Sequence, residues 1–173
     1  MSLIIDHLYL SPIMVAKDSK FFETKNVTHV LIAAKHLKQY QKNVIYKQLD
    51  LADNAAANIA KYFVEAIEFI HEAVSAKKNI LVHCAGGVSR STSFVIAYMM
   101  FIEDLPFDKA FEFVKGKHER TNPNKGFLTQ LQLFETVVSE YRRQITPEFK
   151  DKINYKLLDV LIIEHIRGKP KKE

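Results

Sequence analysis

The chain has 173 residues, 47% of them hydrophobic and 26% charged, and its formal net charge is +5 at pH 7. This length and balance are typical of one folded domain with a sizeable core. The sequence has no apolar run long enough to span a bilayer and no visible secretory or lipidation signal, and its single cysteine excludes an internal disulfide. We therefore expect a soluble protein without a membrane anchor, located in the reducing cytoplasm. A nuclear location is also compatible with these features.

The positive charge raises the question of nucleic acid or anionic membranes as partners. The basic residues are scattered along the chain, and the one concentrated run lies at residues 167–172 near the C-terminus. Such a run is typical of a loose tail. Aromatic and basic residues do not alternate as they do in proteins that stack single-stranded nucleic acid. Nucleic acid is therefore not a predicted partner.

Short β-type runs alternate with helical patterns along most of the chain. The β-type runs are residues 8–10, 29–33, 44–49 and 79–83. Helical spacing of apolar residues begins at Ile59, with Asn58 as its N-cap, and recurs at residues 94–102, at 107–114 after Pro106, and at 127–141. Alternation of this kind predicts an α/β fold whose mostly parallel sheet carries helices on both faces.

The C-terminal segment, residues 146–173, is predicted to be a helical extension with a basic tail, following a main domain at residues 1–145. Its apolar residues Ile153, Leu157, Val160 and Leu161 fall on one side of a helix. The pattern does not decide whether residues 146–166 pack on the main domain, on a second copy of the chain or on another partner.

Residues 83–91 carry the most chemical information. An apolar strand pattern precedes them and an apolar helix pattern follows them, so they form a strand end, a tight loop and a helix start. Backbone N–H groups of such a loop, together with the helix N-terminus, bind an anion of phosphate size. The segment consists of His83, Cys84, Ala85, Gly86, Gly87, Val88, Ser89, Arg90 and Ser91.

Three side chains of this loop suit an attack on a phosphate ester. A free thiol has a pKa of about 8.5, but loop amides and a nearby guanidinium favour the thiolate, so Cys84 is the expected nucleophile. The fork of Arg90 can bind two phosphoryl oxygens at once. Ser91 is placed to donate a hydrogen bond to the sulfur when it leaves in a second step.

The other members of the loop have supporting roles. Gly86 and Gly87 permit positive φ and a close approach of the backbone to the anion. His83 is expected to orient the loop through hydrogen bonds rather than to carry protons. A lone cysteine after an apolar strand is usually a small buried hydrophobe, and it is the combination with glycines, arginine and a helix start that favours catalysis.

The loop resembles the signature HCxxGxxR[ST] of the cysteine-dependent protein tyrosine phosphatases. Its Ser89-Arg90 pair resembles the small, atypical dual-specificity branch of that superfamily. The similarity extends over residues 3–142, although Ser11 stands where the family usually has Gly. It implies a central, mostly parallel twisted sheet of about five strands flanked by helices on both faces. It also implies that Asn124 braces the loop from behind.

The resemblance further implies a general acid, which in this family is an aspartate about thirty residues before the cysteine. Asp53 and Asp50 are the two candidates. Asp53 begins a polar segment that leads into a helix pattern, whereas Asp50 ends a β-type run. Asp53 is therefore the expected acid and, in the second step, the base. A role as a turn residue is compatible with this assignment.

These residues predict a phosphatase that hydrolyses phosphotyrosine, phosphoserine and phosphothreonine esters of proteins through a phosphocysteine, without metal or cofactor. By the resemblance, a pocket restricted to phosphotyrosine goes with a Trp-Pro-Asp acid loop, and the chain has no tryptophan. Lipid-directed relatives often carry lysine in the loop, whereas Ala85, Gly87, Val88 and Ser89 are uncharged. The alternatives are a non-catalytic phosphopeptide-binding module and a lipid or RNA 5′-phosphatase of the same superfamily.

Overall fold

The structure is a computed structural model that describes residues 1–145 and 152–167, without the side chain of Arg167. Its centre is a five-stranded sheet in the order β1-β2-β5-β3-β4. β1 pairs antiparallel with β2, and the other neighbours are parallel. The predicted mostly parallel sheet is therefore confirmed. The strands are β1 (Ser2–Ile5), β2 (Leu8–Pro12), β3 (Val27–Ile32), β4 (Ile45–Gln48) and β5 (Asn79–Cys84).

Helices cover both faces of the sheet, as predicted. The smaller apolar core lies under the two short N-terminal helices, and the larger one lies under the remaining helices on the opposite face. The predicted N-cap at Asn58 is off by one residue, because Ile59 is the N-cap of a 3₁₀ turn at Ala60–Tyr62, although Asn58 Oδ1 accepts a hydrogen bond from Lys61 N within that turn. Within the described residues the helices are α1 (Ile13–Ala16), α2 (Ser19–Lys25), α3 (Phe63–Ser75), α4 (Arg90–Ile102), α5 (Phe107–Lys117), α6 (Lys125–Gln144) and α7 (Tyr155–Ile162).

The middle of the molecule is the β5–loop–α4 unit. β5 is the central strand and is covered on both faces. Because side chains alternate along a strand, Ile80 and Val82 lie in the larger core and Leu81 lies in the smaller one. α4 is buried from Ser91 to Phe101 and is apolar from Phe94 to Ile102 apart from the hydroxyl of Tyr98, and burial of each large apolar side chain contributes about 1.5–3 kcal/mol. The loop between these two elements is therefore anchored at both ends in rigid structure.

The C-terminal helix α7 packs on α3 and α6 of the same chain. Leu158, Leu161 and Ile162 are its buried residues. The prediction that Val160 belongs to the apolar face is wrong, because the helix turns this side chain outward and leaves it 50% exposed. Residues 146–151 and 168–173 lie outside the described residues, so the domain boundary at 145, the basic tail and a contact with a partner stay predictions.

β1 is a strand that the sequence patterns did not predict. It is a four-residue edge strand with only Ile4 buried, which is too short for period-two alternation to show. In the two described parts of the chain, no helix has the length and apolar character needed to cross a membrane.

Candidate active site

The candidate site lies at the carboxyl edge of the parallel strands, where α/β folds commonly bind ligands. β5 ends at Cys84 and α4 begins at Arg90, so residues 85–89 form the connecting loop. β2 ends beside it, because Pro12 is the register partner of Cys84. The backbone N–H of Ile13 donates to the carbonyl of Ala85 at 3.2 Å. The loop is therefore tied to its neighbouring strand.

Gly87 is the position at which this loop requires glycine. Its φ is +64°, in the left-handed region, and a Cβ built there would lie 2.6 Å from Pro12 N and 2.7 Å from the carbonyl carbon of Ser11. Gly86 does not share this need, because its φ is not positive and a Cβ there would meet only Val88 at 3.5 Å. The expectation of positive φ at both glycines is therefore corrected to Gly87 alone.

Cys84 is 1% exposed and lies at the base of the loop. Its Sγ accepts hydrogen bonds from Gly87 N at 3.3 Å and from Ser91 Oγ at 3.2 Å. Burial raises the pKa of the thiol, but these two donors and the backbone N–H groups of Ser91 and Val88 oppose it. Together they bring the pKa below its ordinary value. The surroundings thus favour a nucleophilic thiolate.

His83 directly precedes the cysteine and is buried. Its Nδ1 lies 3.3 Å from the carbonyl oxygen of Cys84, a contact that the ring makes as a donor. Burial lowers the pKa of His83 more than this hydrogen bond raises it. An orienting role requires such a contact with the backbone, and that role stays a prediction.

Asp53, Ser89, Arg90 and Asn124 meet on one side of the loop. Asp53 Oδ1 accepts hydrogen bonds from Ser89 Oγ at 2.7 Å and from Asn124 Nδ2 at 2.9 Å. Asp53 Oδ2 lies 3.5 Å from Arg90 Nε, and the Arg90 side chain is 14% exposed. Arg90 Nη1 donates to the carbonyl of Leu51 at 3.2 Å. A carboxyl and a guanidinium therefore face each other at the loop that follows Cys84.

The structure places the two candidate acids in different surroundings. The carboxylate of Asp53 contacts loop residues, as described above. The carboxylate of Asp50 instead pairs with Lys35 at 3.2 Å, and its side chain is 62% exposed. Of the two carboxylates, only that of Asp53 therefore contacts the loop. Asn124, which also caps α6 by accepting from Phe127 N, donates its backbone N–H to Ser89 Oγ at 3.1 Å.

No sequence pattern indicated a role for His118, which the structure places against the back of the loop. His118 Nε2 lies 2.7 Å from the carbonyl oxygen of Gly87, and His118 Nδ1 lies 2.9 Å from Ser2 Oγ. Nearby, Asn122 N donates to the carbonyl of Val88 at 2.8 Å. These contacts join segments distant in sequence, and no local motif marks them.

Chemically, the arrangement combines backbone N–H donors that suit an anion, a sulfur nucleophile and a carboxyl group that can exchange a proton. Within residues 1–145 and 152–167, no group of three or more His, Cys, Asp or Glu side chains is placed to hold a metal ion. The independence from metal and cofactor stays a prediction.

A strand–loop–helix unit with a buried cysteine whose sulfur accepts two hydrogen bonds fits the class of cysteine-dependent phosphatases. The family model described as "Dual specificity phosphatase, catalytic domain" matches residues 8–137. The chain belongs to this family, as one of its small, atypical members, and it is a dual-specificity protein phosphatase.

Relatives of known sequence and structure agree with this placement. Dual specificity protein phosphatase 1B of Arabidopsis thaliana is 36% identical over 129 residues, which are 74% of this chain and 77% of that protein. Dual specificity protein phosphatase 22 of Mus musculus is 36% identical over 150 residues, 86% of this chain and 82% of its own length. The crystal structure of DUSP15 has a TM-score of 0.76 at 29% identity and covers 84% of this chain and 97% of its own.

A further solved structure is similar as well. The human tyrosine phosphatase-like serine/threonine/tyrosine-interacting protein has a TM-score of 0.74 at 35% identity, covering 79% of this chain and 96% of that one.

Proposed function

We propose that this phosphatase hydrolyses phosphotyrosine, phosphoserine and phosphothreonine esters of proteins through a phosphocysteine at Cys84. The observation that carries the proposal is that one loop holds a sulfur that accepts hydrogen bonds from Gly87 N and Ser91 Oγ and also the ion pair of Asp53 with Arg90. Each of these groups has a separate task in phosphoryl transfer.

In the first step, the Cys84 thiolate attacks phosphorus in line, forming the S–P bond as the P–O bond to the substrate breaks. Arg90 and the loop amides hold the equatorial oxygens and stabilise their charge. Protonated Asp53 donates its proton to the departing oxygen. The products are the dephosphorylated side chain and phosphocysteine.

In the second step, water attacks phosphorus and gives its proton to the Asp53 carboxylate. The S–P bond breaks, inorganic phosphate leaves and the thiolate is restored. Ser91 Oγ, 3.2 Å from Sγ, stabilises the charge that returns to sulfur. The same hydrogen bond thus assists both the attack and the departure of the cysteine.

The proposed substrates follow from the charge of the loop and from its relatives. Ala85, Gly87, Val88 and Ser89 bring no side-chain charge for additional phosphates, which favours a protein monoester over a phosphoinositide. Two relatives are named dual specificity protein phosphatases, which supports activity on both aryl and alkyl esters. A thiolate nucleophile also suits a reducing compartment such as the cytoplasm.

The test is steady-state turnover of p-nitrophenyl phosphate and of singly phosphorylated peptides by the full chain. Cys84→Ser is expected to abolish turnover, and Arg90→Lys to reduce it to near background, because lysine lacks the fork. Full turnover by Cys84→Ser would contradict the proposal. One similar protein is named as an interacting protein, and phosphopeptide binding by the wild type without turnover would favour that alternative. Phosphoinositides and 5′-triphosphorylated RNA complete the panel, and a preference for either would overturn the protein substrate.

A further inference from the structure

The N-terminal turns of α6 pack against residues 53–59, here termed the acid loop because they begin with Asp53. Gly126, in the first turn of α6, lies directly against the backbone of Ala55. A Cβ built on Gly126 would lie 2.6 Å from the carbonyl carbon of Ala55 and 2.7 Å from its Cα, with the carbonyl oxygen nearer still. These are backbone atoms, so a side chain here can be accommodated only if the acid loop or the helix moves.

Gln130, four residues later on the same helix, ties down the far end of the acid loop. Its Nε2 donates to the carbonyl of Ala57 at 3.0 Å, and its Oε1 accepts from Ala60 N at 3.1 Å. One side-chain amide therefore binds a carbonyl of the acid loop and the N–H of Ala60, the first residue after it. Because these partners are backbone groups, Gln130 constrains the path of the backbone whatever side chains the loop carries.

The helix cap completes this set of contacts. Asn124, at the N-cap of α6, donates from Nδ2 to Asp53 Oδ1 at 2.9 Å. One end of one helix thus contacts the acid loop at its start through Asn124, in its middle through Gly126 and at its end through Gln130. Asp53 itself is directed to Ser89 and Arg90.

We propose that Gly126 and Gln130 are positioning residues that set the reach of Asp53 over the phosphate site, so that they govern turnover of esters with poor leaving groups. This inference rests on the proposed function. A proton donor works only within about 2.6–3.2 Å of the leaving oxygen, and a misplacement of about 1 Å can cost about a hundredfold in rate. The attack by Cys84 does not need that proton when the leaving group is good, so formation of the phosphocysteine from such an ester, which kcat/KM reports, is insensitive to the position of Asp53. The later hydrolysis of the phosphocysteine is the same for every ester and does not enter kcat/KM.

The experiment compares Gly126→Ala with Gly116→Ala in the full chain. Gly116 lies in α5, and a Cβ there would meet nothing within 4 Å, so it is the matched control. Two substrates are used: phenyl phosphate, whose phenol leaving group resembles tyrosine with a pKa of about 10, and dinitrophenyl phosphate, whose leaving anion is already stable. For Gly126→Ala we expect kcat/KM to fall about tenfold or more on phenyl phosphate and less than about twofold on dinitrophenyl phosphate. Gly116→Ala should leave the ratio of kcat/KM on phenyl phosphate to kcat/KM on dinitrophenyl phosphate unchanged.

Gln130→Ala should change the same ratio in the same direction, and it carries the test if Gly126→Ala does not fold. A second measurement adds each change to Asp53→Asn. In the Asp53→Asn background, neither change should lower kcat/KM on phenyl phosphate further, because both act through Asp53.

Equal losses on the two substrates, no loss on either, or additive losses in the Asp53→Asn background would overturn the inference. Absence of turnover by the wild type on both substrates would instead contradict the proposed function.

Discussion

The hydroxyl of Ser91 lies 3.2 Å from the Sγ of Cys84 and donates a hydrogen bond to it. The bond runs from the first turn of α4 to the last residue of β5, so it joins the two elements that flank the loop of residues 85–89. A negatively charged sulfur gains from this donor, because hydrogen bonds to charged groups are stronger than those between neutral groups. The bond therefore bears on the acidity of Cys84 and, in the proposed mechanism, on its departure from phosphorus.

Ser91→Ala should raise the pKa of the Cys84 thiol, because it removes a hydrogen bond that lowers it. Since only the thiolate is alkylated, the rate of inactivation by iodoacetamide rises with pH and levels off above the pKa. In the wild type this rise should occur at lower pH than for an ordinary thiol, and in Ser91→Ala it should move to higher pH. Ser93→Ala is the control, since the Ser93 hydroxyl donates to the carbonyl of Ser89 instead. An ordinary titration in the wild type would contradict the resting thiolate.

Gly87→Ala should destabilise the protein and the phosphate site together. Alanine at φ +64° is strained and its Cβ meets the backbone of Pro12, a cost of about 1–3 kcal/mol. Thermal unfolding and inhibition by tungstate measure the two effects. Gly86→Ala, whose Cβ would make only an ordinary contact at 3.5 Å, should change the free energy of unfolding by less than about 0.5 kcal/mol. Equal destabilisation by both changes would show that the loop geometry is wrong.

Asp53→Asn should lower kcat on a phosphotyrosine peptide by about a hundredfold or more, because general acid catalysis contributes about 10²–10⁴. Asp50→Asn is the matched control, since this carboxylate pairs with Lys35, and it should stay within about twofold of the wild type. Steady-state kinetics on both variants decide the assignment. If Asp50→Asn were the damaging change, the acid would be misassigned.

His118→Gln should make the free energy of unfolding less dependent on pH. Burial lowers the pKa of His118, the hydrogen bond to Gly87 opposes this, and the N-terminal ammonium and Arg120 lower it further. The unfolded chain therefore binds a proton below about pH 6.5 that the folded chain resists. Stability should be fully present above that pH and fall as the pH drops below it.

Denaturant unfolding at pH 8 and pH 5.5 measures this dependence. Glutamine can still donate to the Gly87 carbonyl but does not titrate, so the difference between the two pH values should shrink in His118→Gln. It should not vanish, because burial also lowers the pKa of His83. The exposed His165 provides the control substitution. An unchanged difference would mean that His118 is not held neutral by the fold.

The parts of the fold and site that lie close together in the chain were predictable. The β5–loop–α4 unit follows from an apolar strand, a glycine turn and an apolar helix in direct succession. The resemblance to the phosphatase family, with its spacing and turn pattern, predicted Asp53 and Asn124 as site residues. The structure then brings both to Ser89.

The remaining parts depend on contacts between distant segments. His118 meets Gly87 across 31 residues of sequence, and Gly126 meets Ala55, a contact that no local pattern encodes. Which glycine of the loop takes positive φ depends on the approach of Pro12 to Gly87. For the same reason, helical periodicity alone misplaced Val160, since the buried face of α7 is set by α3 and α6.

The central claim, a covalent phosphocysteine at Cys84, is tested most directly by mass spectrometry of enzyme stopped with acid during turnover of a phosphotyrosine peptide. Ser91→Ala is the variant to use, because loss of the donor to Sγ should slow departure of the sulfur by about ten- to a hundredfold and let the intermediate accumulate. We predict one phosphoryl group, located on Cys84 and absent from the Cys84→Ser, Ser91→Ala double variant. Turnover without a phosphoryl group on Cys84, or with one on another residue, would contradict this account.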